Sequence, residues 1–148
     1  MVRLVFNRRG TAQPDGVRAV AAVTMGGAGG LAGMIGPGPA AGIVAAGAGV
    51  LVGWYLVGPG MSPRRRLVRG LTGAGWVGLS LVIFPALQAV TRLAGRGLYR
   101  GFEAMLTDFL FRAVGVAAEL ARPELGIVLF LGGTLSAIVS NRAARRRR

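Results

Sequence analysis

The sequence predicts an all-α integral membrane protein with four transmembrane helices and one amphipathic helix at the membrane surface. Three observations predict it. Leu71–Val90 runs twenty residues without a charge between Arg69 and Arg92, and a helix of that length spans ~30 Å, the hydrocarbon thickness of a bilayer. The chain is 53% hydrophobic with a mean hydropathy of +0.57, too apolar for an ordinary soluble domain, and 148 residues offer little protein to wrap so apolar a helix in a soluble core. The arginines gather at the ends of the apolar runs, where topology signals and lipid-phosphate contacts occur.

The chain opens with a basic arm, residues 1–18, carrying Arg3, Arg8, Arg9 and Arg18 and the turn-like Gln13-Pro14-Asp15-Gly16. The arm reads as cytoplasmic and poorly ordered, with Leu4–Phe6 able to touch the membrane surface. The first span is read over 19–35. It is dense in glycine, and Gly26/Gly30 and Gly29/Gly33 are pairs four residues apart that let another helix backbone approach closely. A basic start, an apolar stretch and Pro39-Ala40-Ala41 also fit a cleaved signal peptide. The length of the apolar run and the immediate start of the next one favour a retained span, and the alternative stays open.

Gly36-Pro37-Gly38-Pro39 reads as a tight uncharged turn before the second span, 40–57. Gly49 and Gly53 repeat the four-residue spacing, and Trp54 and Tyr55 sit near the far end as an aromatic belt does. Pro63 with Arg64, Arg65, Arg66 and Arg69 reads as a basic loop before the third span, 71–90. Pro85 should bend that helix by removing one backbone donor. Gly70, Ala74 and Gly78 form a small-residue ridge expected to face the second helix.

An amphipathic helix is read over about 99–121. Phe102, Met105, Leu106, Phe109, Ala113, Val116, Ala117 and Leu120 recur at helical spacing. Asp108 and Arg112, four apart, can pair on the polar face. A helix on the membrane surface and a helix packed over the bundle are compatible readings, whereas a fifth span would bury four charges. Pro123 and Glu124 open the last span, 125–139, with proline suited to the first turn and glutamate to the helix dipole. The tail, 140–148, carries Arg142 and Arg145–Arg148 and reads as a stop signal held at an anionic leaflet.

Counting arginines sets the orientation. The arm, the connection between spans two and three, and the tail carry thirteen; the amphipathic connection carries five. The positive-inside rule then puts both termini in the cytoplasm.

Composition removes several chemistries. The chain holds no cysteine and no histidine, which excludes disulfides, thiolate and ordinary zinc sites, and Cys or His catalysis. All eighteen basic residues are arginine, against five acids. The net charge of +13 would suit nucleic acid, but the placement of the arginines suits lipid headgroups instead. General acid-base work would fall to Glu103, Asp108, Glu119 or Glu124, each of which has a plainer role in solvated pairing or capping. The expectation is no catalytic residue, cofactor or metal. The expected partners are membrane lipids including anionic headgroups, and other membrane proteins or a second copy, with no nucleic acid.

Arg92, Arg96 and Arg100 are spaced four apart, so a continuous helix would set them on one face. Arginine's planar fork holds oxyanions through two hydrogen bonds, so the three form a candidate anion site, the plainer reading being lipid-phosphate contact. Gly95, Gly97 and Gly101 interrupt the stretch and threaten the shared face.

Several short motifs run together: Val52-Gly53-Trp54 with Val57-Gly58-Pro59, Glu103-Ala104, Pro123-Glu124-Leu125-Gly126 leading to Gly132-Gly133, and Ala143-Ala144 before a basic end. On these residues the stretch 40–148 resembles the TrgA family of small bacterial inner-membrane proteins, associated with tellurite resistance. The basic arm and the glycine density of the first span depart from that pattern. The resemblance implies a four-span membrane protein linked to oxyanion stress. It implies no reaction and no active-site residues. The main alternative function is a subunit of a transporter or channel, disfavoured because none of the four predicted spans contains Asp, Glu or Arg.

Overall fold

The structure, a computed structural model, describes residues 14–145. The arm up to residue 13 and Arg146–Arg148 of the tail lie outside the described residues. Five helices follow in order: α1 (Pro14–Ile35), α2 (Pro39–Leu56), α3 (Pro63–Gly95), α4 (Phe102–Leu120) and α5 (Pro123–Arg145). Four of them, α1, α2, α3 and α5, are long and apolar enough to cross a membrane. Each of these four starts on a proline, whose fixed φ and missing N–H suit the first helical turn.

The helices are longer than the apolar runs alone indicate. α3 has 33 residues, about 50 Å, because Ser62 caps its start by accepting from the Arg65 N–H at 3.4 Å. The arginines read as a loop are therefore its first two turns. At the other end Gly97, at φ 69°, lets the Leu98 N–H bond the Leu93 carbonyl and its own N–H bond the Ala94 carbonyl. This arrangement satisfies the last carbonyls and stops the helix.

α1 and α2 form an antiparallel hairpin across Gly36–Gly38, and α5 and α3 close the bundle against them. Small residues crowd the interior beside a few large ones such as Met25, Val77 and Leu81, and many large apolar residues lie outside. Ala21, Ala32, Ala41, Ala45, Ala74, Ala137, Ser136 and Ser140 are buried, while Val23, Leu31, Ile43, Leu51, Ile83, Ile127 and Phe130 are exposed. Close approach of backbones explains the interior. A Cβ on Gly53 would lie 2.5 Å from the Ala21 carbonyl oxygen, and one on Gly49 would lie 2.7 Å from the Met25 carbonyl carbon. Gly29 and Gly33 meet the backbones of Ala45 and Gly42 as closely. Gly26 faces Val50 and Ala46, whereas a Cβ on Gly30 would make only ordinary contact with Ala46 at 3.5 Å.

The ridge of Gly70, Ala74 and Gly78 faces α5, not α2. Gly70 and Gly133 are so close that a Cβ on either would sit 2.5–2.7 Å from the other's carbonyl oxygen. Ala74 packs on Gly133 and Gly78 on Leu129. The expectation of α2 failed because α3 lies between two partners: Gly73, one place round the helix, meets Val52 of α2 and Met25 of α1. Buried hydroxyls are satisfied by carbonyls, one across to α1 and one within α5. Ser136 Oγ donates to the Ala21 carbonyl at 3.4 Å, and Ser140 Oγ to the Ser136 carbonyl at 2.5 Å.

Pro85 marks where α3 leaves the bundle. It shares a cavity of about 250 Å³ with Gly36 and Pro37 of the first turn and with Leu120, Arg122 and Leu125 around the α4–α5 turn. Arg66 to Pro85 is therefore the part of α3 level with the other three helices, about 28 Å at the helical rise. The remainder, Ala86–Gly95, extends past that level with α4 packed on α3: Leu87 and Val90 line a small apolar cleft with Phe102, Met105, Leu106 and Phe109. Helix α4 has no fully buried residue. Met105, Phe109, Ala113, Val116 and Leu120 are its half-buried stripe, while Phe102, Leu106, Leu110 and Val114 stay exposed on one flank.

Candidate functional site

The two ends of the bundle carry different polar contacts. At the end where α3 starts and α5 finishes, Arg66 is 3% exposed. Its Nε donates to the Gly58 carbonyl at 3.3 Å, and Nη1 to Asn141 Oδ1 at 2.8 Å and the Ser140 carbonyl at 3.5 Å. Nη2 donates to the Pro59 carbonyl. One guanidinium thus joins the segment after α2 to the last turns of α5. Arg69 adds a bond to the Leu56 carbonyl at 3.3 Å, one of the carbonyls that the end of α2 leaves without a helical partner, while Arg66 bonds the Gly58 and Pro59 carbonyls just beyond it.

All of Arg66's partners are neutral oxygens. Among the described residues the one ion pair is Asp108–Arg112, at the opposite end. Glu103, Asp108, Glu119 and Glu124 all belong to α4 or the first turn of α5, and the fifth acid, Asp15, lies exposed in the first turn of α1. Arg18 Nε is also buried and, unlike Arg66, has no acceptor among the described residues. Beside Arg66 a cavity of about 560 Å³ opens to the surface, lined by Ser62, Pro63, Asn141, Ala144, Arg145 and the loop Pro59–Met61. The sequence reading missed Arg66 because the three consecutive arginines Arg64–Arg66 look alike. The available signal was Ser62-Pro63, a cap and first-turn pair that moves the helix start eight residues ahead of the apolar run.

At the other end the three candidate arginines do not share a helix. Arg92 lies in the last turn of α3, Arg96 caps it, and Arg100 lies beyond the left-handed Gly97. All three are exposed. The continuous face that a joint anion site required is absent from this stretch because the helix stops at Gly95.

The polar contacts here belong instead to Tyr99, Asp108 and Arg112. Arg112 Nε pairs with Asp108 Oδ2 at 2.7 Å, and the Tyr99 hydroxyl donates to the same oxygen. The hydrogen bond from Arg112, then that from Tyr99, holds the Asp108 carboxyl below its usual range. Desolvation, then the bond to Asp108, pushes the Tyr99 hydroxyl up. The clasp ties the loop after α3 to the second turn of α4. Because the Asp108 pKa is depressed, its contribution is present above the ordinary carboxylate range and is lost as pH falls through the lowered value. Hydrogen exchange of α4 amides should therefore accelerate in acid relative to an Asp108→Asn variant at the same pH, and the two should differ by a constant factor at neutral pH. A constant ratio throughout would show that the clasp does not hold α4.

These features define an all-helical chain with four membrane-length apolar helices, a glycine-packed interior and a fifth helix outside the four-helix level. The chain matches no protein-family model, no curated protein and no solved structure.

Proposed function

We propose that the protein is a non-enzymatic, four-span protein of the bacterial inner membrane with both termini cytoplasmic, of the TrgA type, acting indirectly on tellurite and related oxyanion stress. The observation that carries the membrane part is the number of large apolar residues left outside, valine, leucine, isoleucine and phenylalanine, around an interior rich in alanine, glycine and serine with fewer large side chains such as Met25 and Leu81. In water that exterior would leave large apolar area unburied; in lipid it is solvated, and helices associate through close backbone contact. The arginine split supports the orientation. Alkaline-phosphatase fusions after Arg100 should be active and fusions after Arg66 inactive; activity of a fusion after Arg148 would overturn it.

Helix α4 fits the interface between lipid and water. Its exposed flank of Phe102, Leu106, Leu110 and Val114 lies beside the half-buried stripe, and Asp108, Arg112 and Glu119 lie on the other side. Arg92, Arg96 and Arg100 surround the turn that leads into it, where lipid phosphates would meet them. The indirect route rests on chemistry: without cysteine the chain cannot reduce tellurite through thiols. A transporter or channel subunit is the second reading. The backbone contacts among Gly29, Gly33, Gly49, Gly53 and their partners leave no room for a hydrated path between α1 and α2, which favours the first. Deleting the gene and challenging cells with tellurite while measuring tellurium uptake decides between them. Changed survival at unchanged uptake is expected. Changed uptake would favour transport, and unchanged survival would overturn the link to tellurite.

A further inference from the structure

We infer that the cavity beside Arg66 is a binding site for a phosphate group. The cavity is about 560 Å³ and is lined by two arginines, Arg66 and Arg145, with Ser62 and Asn141 as polar neighbours. Its volume suits a headgroup-sized ligand.

The charge balance points to an anion. Arg66 is 3% exposed, and buried charges are ordinarily paired because removing them from water is costly. Its four acceptors carry no net charge, so the cation is oriented but not neutralised. Among the described residues no acid pairs with it: four of the five sit on α4 or at the start of α5, and Asp15, exposed in the first turn of α1, makes no ion pair. Arg145 adds a second cation to the lining, and Arg64, Arg65 and Arg142, close in sequence to lining residues, are exposed. A bound anion would supply the negative charge that these partners lack.

Phosphate is the anion the donors fit. Arg66 is occupied on the carbonyl side, but a guanidinium has five N–H donors, and four are used here. The remaining Nη2 donor and the fork of Arg145 can reach separate oxygens of one tetrahedral group. Two sources share that chemistry, an anionic lipid headgroup and free phosphate. Basic pockets between helix ends on the arginine-rich side are where lipid headgroups dock. The lipid source rests on the membrane reading above; the free-phosphate source does not.

The test uses the purified full chain in a non-ionic detergent. Thermal unfolding is followed on titrating dioleoyl-phosphatidylglycerol, dioleoyl-phosphatidylcholine, or inorganic phosphate at constant ionic strength. The variants are Arg145→Gln, which removes a cavity-lining arginine, and Arg142→Gln, which removes a likewise exposed arginine that does not line it. Saturable stabilisation by phosphatidylglycerol and not by phosphatidylcholine is expected. Arg145→Gln should weaken it about five- to tenfold, the loss of one charge-assisted bond, and Arg142→Gln by less than about twofold, as for a screened surface charge. Stabilisation by inorganic phosphate with the same dependence on Arg145 assigns the site to free phosphate and also supports the inference. Equal weakening by both variants, or equal stabilisation by the two lipids with none from phosphate, would overturn it. Membrane fractionation of the same chain is read separately, so loss of the site and loss of the membrane reading are distinguishable.

Discussion

Isoleucine at Gly53 should destabilise the protein by about 1–3 kcal/mol or more, the cost of overpacking a close-packed contact. The Cβ alone would sit 2.5 Å from the Ala21 carbonyl oxygen and 2.7 Å from Ala22 Cα, and a backbone atom cannot step aside as the end of a side chain can. Alanine is therefore already too large here. Gly70→Ala and Gly133→Ala should behave alike, since each new methyl would meet the other position's carbonyl. Gly47→Ala, on α2 as Gly53 is, is the control. Nothing lies within 4 Å of that Cβ, so it should be neutral or slightly stabilising, alanine being the better helix former. Gly30→Ala should also be tolerated, its Cβ meeting Ala46 at 3.5 Å. Thermal unfolding in detergent reads all five. Equal midpoints for Gly53→Ile and Gly47→Ala would mean that α1 and α2 do not pack in this register.

The contrast between Gly30 and Gly53 shows what spacing can and cannot reveal. Two glycines four apart state that a small face exists. They do not state how near the partner comes, because that distance depends on which residue of the other helix arrives opposite. The same limit explains the ridge of Gly70, Ala74 and Gly78: its smallness was legible, but its partner, Gly133, lies more than fifty positions away in sequence and nothing local names it. Apolar length was more informative, since four uninterrupted runs correspond to the four membrane-length helices. It underestimated α3 at both ends, because helix formation does not stop where hydrophobicity does. Ser62 and Pro63 start the helix among arginines, and Gly97 ends it beyond the apolar run. Pro85 read as a bend; its position also sets it level with the turns at Gly36 and Leu120, a relation among three segments that no window along the chain contains.

Replacing Arg66 with methionine should cost about 2–4 kcal/mol. Methionine keeps most of the length and removes every donor. Hydrogen bonds to a charged group contribute about 1.5–3 kcal/mol each. Relief of the several kcal/mol needed to bury the cation offsets part of the loss of four such bonds. The Gly58, Pro59 and Ser140 carbonyls and the Asn141 amide oxygen would lose a donor at once, and the end of α2 would lose its tie to α5. Arg66→Lys separates charge from geometry. A lysine keeps the positive charge but offers three donors on one compact ammonium, which cannot span acceptors spread over the loop and α5 as a planar fork does. It should recover less than half of the lost stability. Arg65→Met, one residue earlier and exposed, should change stability by no more than about 0.5 kcal/mol. Denaturant unfolding in mixed micelles measures all three. Full recovery in Arg66→Lys would show that charge alone acts at this position. A loss in Arg65→Met as large as that in Arg66→Met would show that the arginine run acts collectively and that the hydrogen-bonded staple contributes nothing of its own.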